Sequence, residues 1–321
     1  MKKKVNKNKL FTGGDTKAWR NLALTLMVIV VFNQLFKISI VPKFESPWSF
    51  LGYKDSKEEK NESSDEVDVS GLQNKVISSE GVELPVNWGD FGKQMIIDGV
   101  IDEKQFRDLF SNGLNEDEEK ILAGVWDGEM VLNQQNSHFL LNMLWAFGLA
   151  NKNDILEQGE MTDEKYGGDA GNFASTGGWT LAKGDAMNHY SKHRYITLTN
   201  EQQALVDRVS SGIYRPCCGN STHFPDCNHG MAMLGLLELM VANGVSEQEM
   251  YDVALQVNSY WFPQTYIELA TYFKEQGQEW DEVDSKLVLG TEYSSSQGYQ
   301  ATRQKIKSLP TPAQGGGGCG V

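Results

Sequence analysis

Cysteine is absent from the first two-thirds of this 321-residue chain: the first is Cys217, and only Cys218, Cys227 and Cys319 follow. No Cys-x-x-Cys occurs among them, so the familiar zinc knuckle and the dithiol redox motif are excluded. Nor is there a Gly-x-Ser-x-Gly elbow, a Cys-x-x-Cys-His haem site, a calcium loop, or a Gly-x-Gly-x-x-Gly after a strand. Basic residues are outnumbered, 29 Lys and Arg against 43 Asp and Glu, a net charge of −14. An exterior so acidic argues against nucleic acid as a partner.

What basic charge there is gathers at one end. Residues 1–20 carry seven basic side chains against Asp15, a net +6 that leaves −20 on the rest of the chain. The following stretch, Asn21 to Val41 (NLALTLMVIVVFNQLFKISIV), is apolar over nearly the 20 or so residues that span a bilayer as a helix. No small-residue cleavage pattern and no cysteine for lipid attachment follow it. The expectation is therefore a single-pass signal-anchor over 21–41, with residues 1–20 cytoplasmic and the remainder outside the cytoplasm at the cell membrane.

Lys54 to Gly71 (KDSKEEKNESSDEVDVSG) is rich in charge and serine and has too few apolar residues to offset its ordering entropy. It predicts a disordered acidic linker over 42–81. A body with 40% hydrophobic content overall then runs from Val82 to Leu309, and a flexible Gly-rich tail bearing Cys319 fills 310–321.

The body reads as mainly α-helical. Thr199 to Gln202 and Ser246 to Glu249 have the form of capping boxes, each followed by apolar residues at helical spacing. Phe139 to Leu149 is apolar almost all round, as a buried central helix would be. Pro263 and Gly277 bracket another helix. No hairpin pair of alternating strands stands out. The glycines at 167, 168, 171, 177 and 178 lack the spacing and the lysine of a phosphate loop and predict a tight loop instead.

Cys217, Cys218, His223, Cys227 and His229 fall in one run, YRPCCGNSTHFPDCNHG, from Tyr214 to Gly230. Pro216 and Pro225 stiffen its ends. An apolar helical run begins near Asn228, which puts Cys227 and His229 at a helix N-terminus, where backbone N–H groups and the helix dipole favour a thiolate.

Three chemistries fit. A metal ion, Cu or Zn, held by Cys217, Cys218, Cys227 and His229 has enough soft ligands, although adjacent cysteines are an irregular spacing for tetrahedral zinc. Cu(I) tolerates irregular, low coordination, and Met231 and Met233 are nearby as thioether donors. A structural disulfide from Cys227 to Cys217 or Cys218 suits an extracytoplasmic site. Thiol–disulfide exchange would use the vicinal Cys217–Cys218 pair with Cys319 swinging on Gly315 to Gly318. Enzymatic activity is left open by these readings, with Cys217, Cys218 and Cys319 as the redox candidates, and a role in docking an unidentified protein partner is compatible with the helical body. His189 and His193, in HYSKH, lie i,i+4 but lack the glutamate of a zincin, and predict two histidines on a solvated helix face.

The cysteine run, the upstream GGDAGNFASTGGWTLAKG and the final GGGGCG together resemble a group of membrane-anchored prokaryotic proteins. The likeness covers much of the chain from about Leu132 onward. It implies the anchored topology and makes the cluster and the tail one design, and it implies no mechanism.

Overall fold

The computed structural model of the chain describes residues 69–310. The 21–41 span, most of the acidic linker and Cys319 lie outside them. Among the described residues no helix is long and apolar enough to cross a membrane.

The elements follow in the order α1 (Val69–Val76), β1 (Val82–Leu84), α2 (Phe91–Asp98), α3 (Glu103–Asp108), α4 (Glu116–Ala123), β2 (Met130–Leu132), α5 (Ser137–Ala150) and α6 (Asp154–Gln158). After a long stretch of 3-10 turns come α7 (Asn200–Gly212), α8 (Asn228–Ala242), α9 (Glu247–Trp261), α10 (Pro263–Glu275), α11 (Ser285–Leu289), α12 (Thr291–Ser294) and α13 (Ser296–Arg303). The fold is mainly α, as expected.

Val69–Val76 is a helix inside the 42–81 stretch expected from composition as linker. Leu72 and Val76 of α1, with Ile77 just beyond it, are buried in the core. Three well-placed apolar side chains suffice to dock a helix of eight residues, and the neighbouring acidic tract hides them in any average over composition.

At the centre α5 packs along α8. Neither helix has a polar face: every residue of α5 from Phe139 to Ala150 is buried, as is every residue of α8 from Asn228 to Val241. Their axes approach closely because glycine meets glycine. A Cβ on Gly235 would lie 2.6 Å from the Leu144 carbonyl oxygen and 2.9 Å from the Gly148 nitrogen, and one on Gly148 would lie 2.3 Å from the Met231 carbonyl oxygen. These are backbone atoms that cannot swing aside. Alanine gains up to about 1 kcal/mol of helix propensity over glycine, but overpacking a rigid contact costs about 1–3 kcal/mol or more. Gly235→Ala will therefore lower the stability measured by urea unfolding, and an unchanged or raised midpoint would show that the helices are not in backbone contact.

Around this pair, α7 lies on α8, α9 packs against α10 and α11, and α10 carries α1 and α13. The capped starts anticipated from sequence are present. Thr199 and Gln202 form a reciprocal capping box on α7, and Ser246 accepts from the Glu249 N–H at the start of α9. Pro263 opens α10, and Gly277 follows its end at φ +83°.

The one sheet among the described residues is an antiparallel pair of three-residue strands, Val82 opposite Leu132 and Leu84 opposite Met130. It is not a hairpin, which is why no turn signal announces it. The glycine-rich 167–184 segment is the tight loop expected, pinned by Trp145 Nε1 donating to the Ser175 carbonyl at 2.7 Å and Trp179 Nε1 donating to the Val100 carbonyl at 2.9 Å.

Candidate metal centre

The run from Tyr214 to Gly230 folds as a closed loop ending on α8. Tyr214 pairs with Ser221 in an isolated antiparallel bridge, and the Thr222 N–H donates to the Ile213 carbonyl at 2.8 Å. Ser296 N–H holds the Cys218 carbonyl at 2.9 Å from outside. Cys227 is the N-cap of α8, with φ −124° and ψ 165°, and its side chain makes no cap hydrogen bond to the helix. A serine or aspartate would cap better, so the sulfur at this position is a stability cost that packing does not explain.

The loop is organised around a buried guanidinium. Arg215 is 1% exposed, and its donors all find acceptors. Nε donates to Cys227 Sγ at 2.9 Å, Nη1 to the Ser221 carbonyl at 2.8 Å and the Asn220 carbonyl at 3.3 Å, and Nη2 to the Phe224 carbonyl at 3.0 Å and to Asp226 Oδ1 at 2.5 Å. Asn220 Nδ2 closes the ring onto the other Asp226 oxygen at 2.9 Å. Gly230, in the first turn of α8, leaves the space for this group: a Cβ there would sit 2.5 Å from Arg215 Cζ. The planar fork of arginine suits the task because it satisfies several carbonyls and a sulfur at once.

Against this frame the three thiols converge. The sulfurs of Cys217, Cys218 and Cys227 all lie within 4.8 Å of one another, and Cys217 Sγ is 3.6 Å from Cys227 Sγ. Cys217 is the exposed member. Cys227 is held well below the ordinary thiol range, first by the Cys217 and Cys218 thiols donating to it, then by the Arg215 charge and a hydrogen bond from His229. Cys217 is pushed up by its hydrogen bonds to Cys218 and Cys227. One negative charge is thus concentrated on Cys227, beside a guanidinium and a helix N-terminus, and two neighbouring thiols keep their protons.

Of the four ligands expected from sequence, the structure brings three together. His229 is not part of the three-sulfur group but adjoins it. It is buried, packed 4.4 Å from the Phe262 ring and 5.6 Å from Trp261, and acts on the centre through its hydrogen bond to Cys227. Met231 and Met233 belong to the hydrophobic core. His223 is engaged with Glu160 at 2.8 Å. Arg215, Asp226 and Gly230 were not singled out from sequence. The only local signal is the Arg-Pro-Cys-Cys order, since the arginine's acceptors are mostly carbonyls, which carry no residue identity.

The second histidine pair departs from its expectation. His189 and His193 are not on a helix: the 3-10 turn Ala186–Asn188 ends before them, and Ser191 between them adopts φ +53°. Nor do they face solvent as two free rings. His189 Nδ1 and His193 Nε2 approach to 3.1 Å, and His193 Nδ1 is 3.3 Å from Asp98 Oδ2. Burial holds His189 below the usual imidazole value.

Fold and site together define a mainly α-helical protein with a three-cysteine group that can hold a metal ion. No protein-family model, curated protein or solved structure matches the chain, so its function is read from this geometry.

Proposed function

We propose that the protein is a membrane-anchored metal-binding protein whose extracytoplasmic domain takes one thiophilic ion through Cys217, Cys218 and Cys227. The convergence of three sulfurs within 4.8 Å on an arginine-braced loop carries this reading. Three sulfurs, with no fourth ligand grouped with them among the described residues, suit Cu(I), which accepts trigonal coordination, better than Zn²⁺, which would recruit a water. Arg215 offsets part of the charge of the thiolate set. Because two of the thiols hold protons before binding, the ion displaces them, and affinity rises with pH.

The membrane anchor over 21–41 rests on the apolar run and its basic flank alone, and the placement outside the cytoplasm follows from it. A disulfide between Cys217 and Cys227 is the second reading, favoured by their 3.6 Å separation. Thiol exchange is less suited, since the charge sits on Cys227 while the exposed Cys217 keeps its proton.

The full-length chain, purified reduced in detergent, will hold close to one Cu or Zn per molecule by elemental analysis, and Cys227→Ser will hold less than about a tenth of that. Metal retained by Cys227→Ser, or none bound by the reduced wild type, would remove the proposal. In intact cells, Cys217 labelled by a membrane-impermeant maleimide supports the topology, and labelling only after lysis contradicts it.

A further inference from the structure

We infer that His189 and His193 form a second metal site, distinct from the thiols, for a divalent first-row cation of the imidazole-preferring kind, Zn²⁺, Ni²⁺ or Co²⁺, with water completing its coordination. Two ring nitrogens converge there, His189 Nδ1 and His193 Nε2, 3.1 Å apart. At the usual metal–imidazole distance of about 2.0–2.1 Å, that separation corresponds to an N–metal–N angle of about 95–102°, between the octahedral and tetrahedral values.

Each ring is also oriented from behind. Asp98 Oδ2 lies 3.3 Å from His193 Nδ1 and also accepts from the Tyr195 hydroxyl at 3.1 Å. A carboxylate there favours the tautomer with the proton on Nδ1, which turns the Nε2 lone pair toward His189 Nδ1. The Lys183 main chain hydrogen-bonds to His189. A carboxylate behind one ligand and a backbone group behind the other is the arrangement that fixes metal-binding histidines. Tyr195 stacks on His193 at an interplanar angle of 4° and holds the ring plane.

The backbone supplies an independent sign. Ser191 is the only non-glycine among the described residues with positive φ, a conformation that costs about 1 kcal/mol or more and persists where surroundings enforce it. Its N–H donates to the Leu149 carbonyl at 2.9 Å, and its hydroxyl contacts Glu157 and the Asn153 N–H at 3.2 Å each. The kink is what turns two rings spaced i,i+4 toward one point without a helix. His189 is buried, and an ion would enter from the side of His193 and Asp98, whose side chains are 21% and 38% exposed.

Co²⁺ titrated into the reduced, untagged full-length chain separates this site from the thiols by spectrum. One class of bound Co²⁺ should show weak ligand-field bands without sulfur-to-cobalt charge transfer. His193→Gln should abolish that class and leave any charge-transfer band unchanged. Asp98→Asn, which keeps both rings, should weaken it 10–100-fold. The inference is overturned if the wild type shows no such class, or if it survives in His193→Gln. Should near-UV circular dichroism show that His193→Gln has lost its fold, Asp98→Asn decides, and an unchanged affinity there overturns the site.

Discussion

Arg215→Ala will unfold at markedly lower urea than the wild type, a loss of about 3–5 kcal/mol, and its Cys227 thiol will titrate higher than in the wild type, with the Cys217 and Cys218 hydrogen bonds still holding it down. The substitution strips donors from the Asn220, Ser221 and Phe224 carbonyls, from Asp226 and from Cys227 at a position 1% exposed to solvent. Each buried acceptor left alone costs about 1–3 kcal/mol, and the Asp226 carboxylate loses its counter-charge. Solvent entering the gap will recover part of that. Arg215→Lys separates charge from geometry. It retains the positive charge and hence part of the Cys227 shift, but three donors on one nitrogen cannot span acceptors on opposite sides of the loop, so stability will still fall. The pH dependence of Cys227 alkylation, followed by peptide mass spectrometry, reads the thiol directly. An alanine variant that stays within about 1 kcal/mol of wild type, with the Cys227 profile unmoved, would show that the guanidinium neither braces the loop nor sustains the thiolate.

The second large effect lies within α8. Glu238 is fully buried, its two oxygens each accepting at 2.6 Å from Asn151 Nδ2 and Asn153 Nδ2. Desolvation raises its pKa to about 8, against the opposing pull of those two amides. An unfolded glutamate releases its proton near 4.5, so between that value and about 8 the folded chain binds one more proton than the unfolded chain. The contribution of this group is fully present below about pH 4.5 and is lost as pH rises through about 8, a decline of about 5 kcal/mol in all. Glu238→Gln will remove that slope from the stability measured between pH 5 and pH 9. Its absolute stability will be about 1–3 kcal/mol lower at the acid end, because the new amide N–H faces an asparagine N–H. A variant with the same slope as wild type would show that Glu238 is ionised in the fold throughout.

Local signals in the chain were dependable where the physics is local. The Thr199 box, the largely apolar Phe139–Leu149 run and the Pro263 start each become the helix they announce, because a cap or a periodic face acts within one or two turns. Cys227 at the start of α8 was legible for the same reason. Partnerships across the fold were not. The β1–β2 pair joins three-residue segments separated by three helices, and nothing in Glu238 points to Asn151 and Asn153. Arg215 was silent because it binds carbonyls. His189 and His193 were misread since i,i+4 spacing implies a shared helix face only if the backbone between is helical, and Ser191 is not. His229, expected with the thiols of the same run, packs its ring against Trp261 and Phe262 and reaches the Cys227 sulfur by a hydrogen bond.

The central claim concerns which atoms hold the ion. X-ray absorption at the metal edge of the reduced full-length chain, loaded with one equivalent of Cu(I), counts them directly. Three sulfur scatterers at about 2.3 Å, falling to two or fewer in Cys218→Ser, is the result expected from the convergence of Cys217, Cys218 and Cys227. A first shell of nitrogen and oxygen, or a sulfur count that Cys218→Ser leaves unchanged, would contradict it.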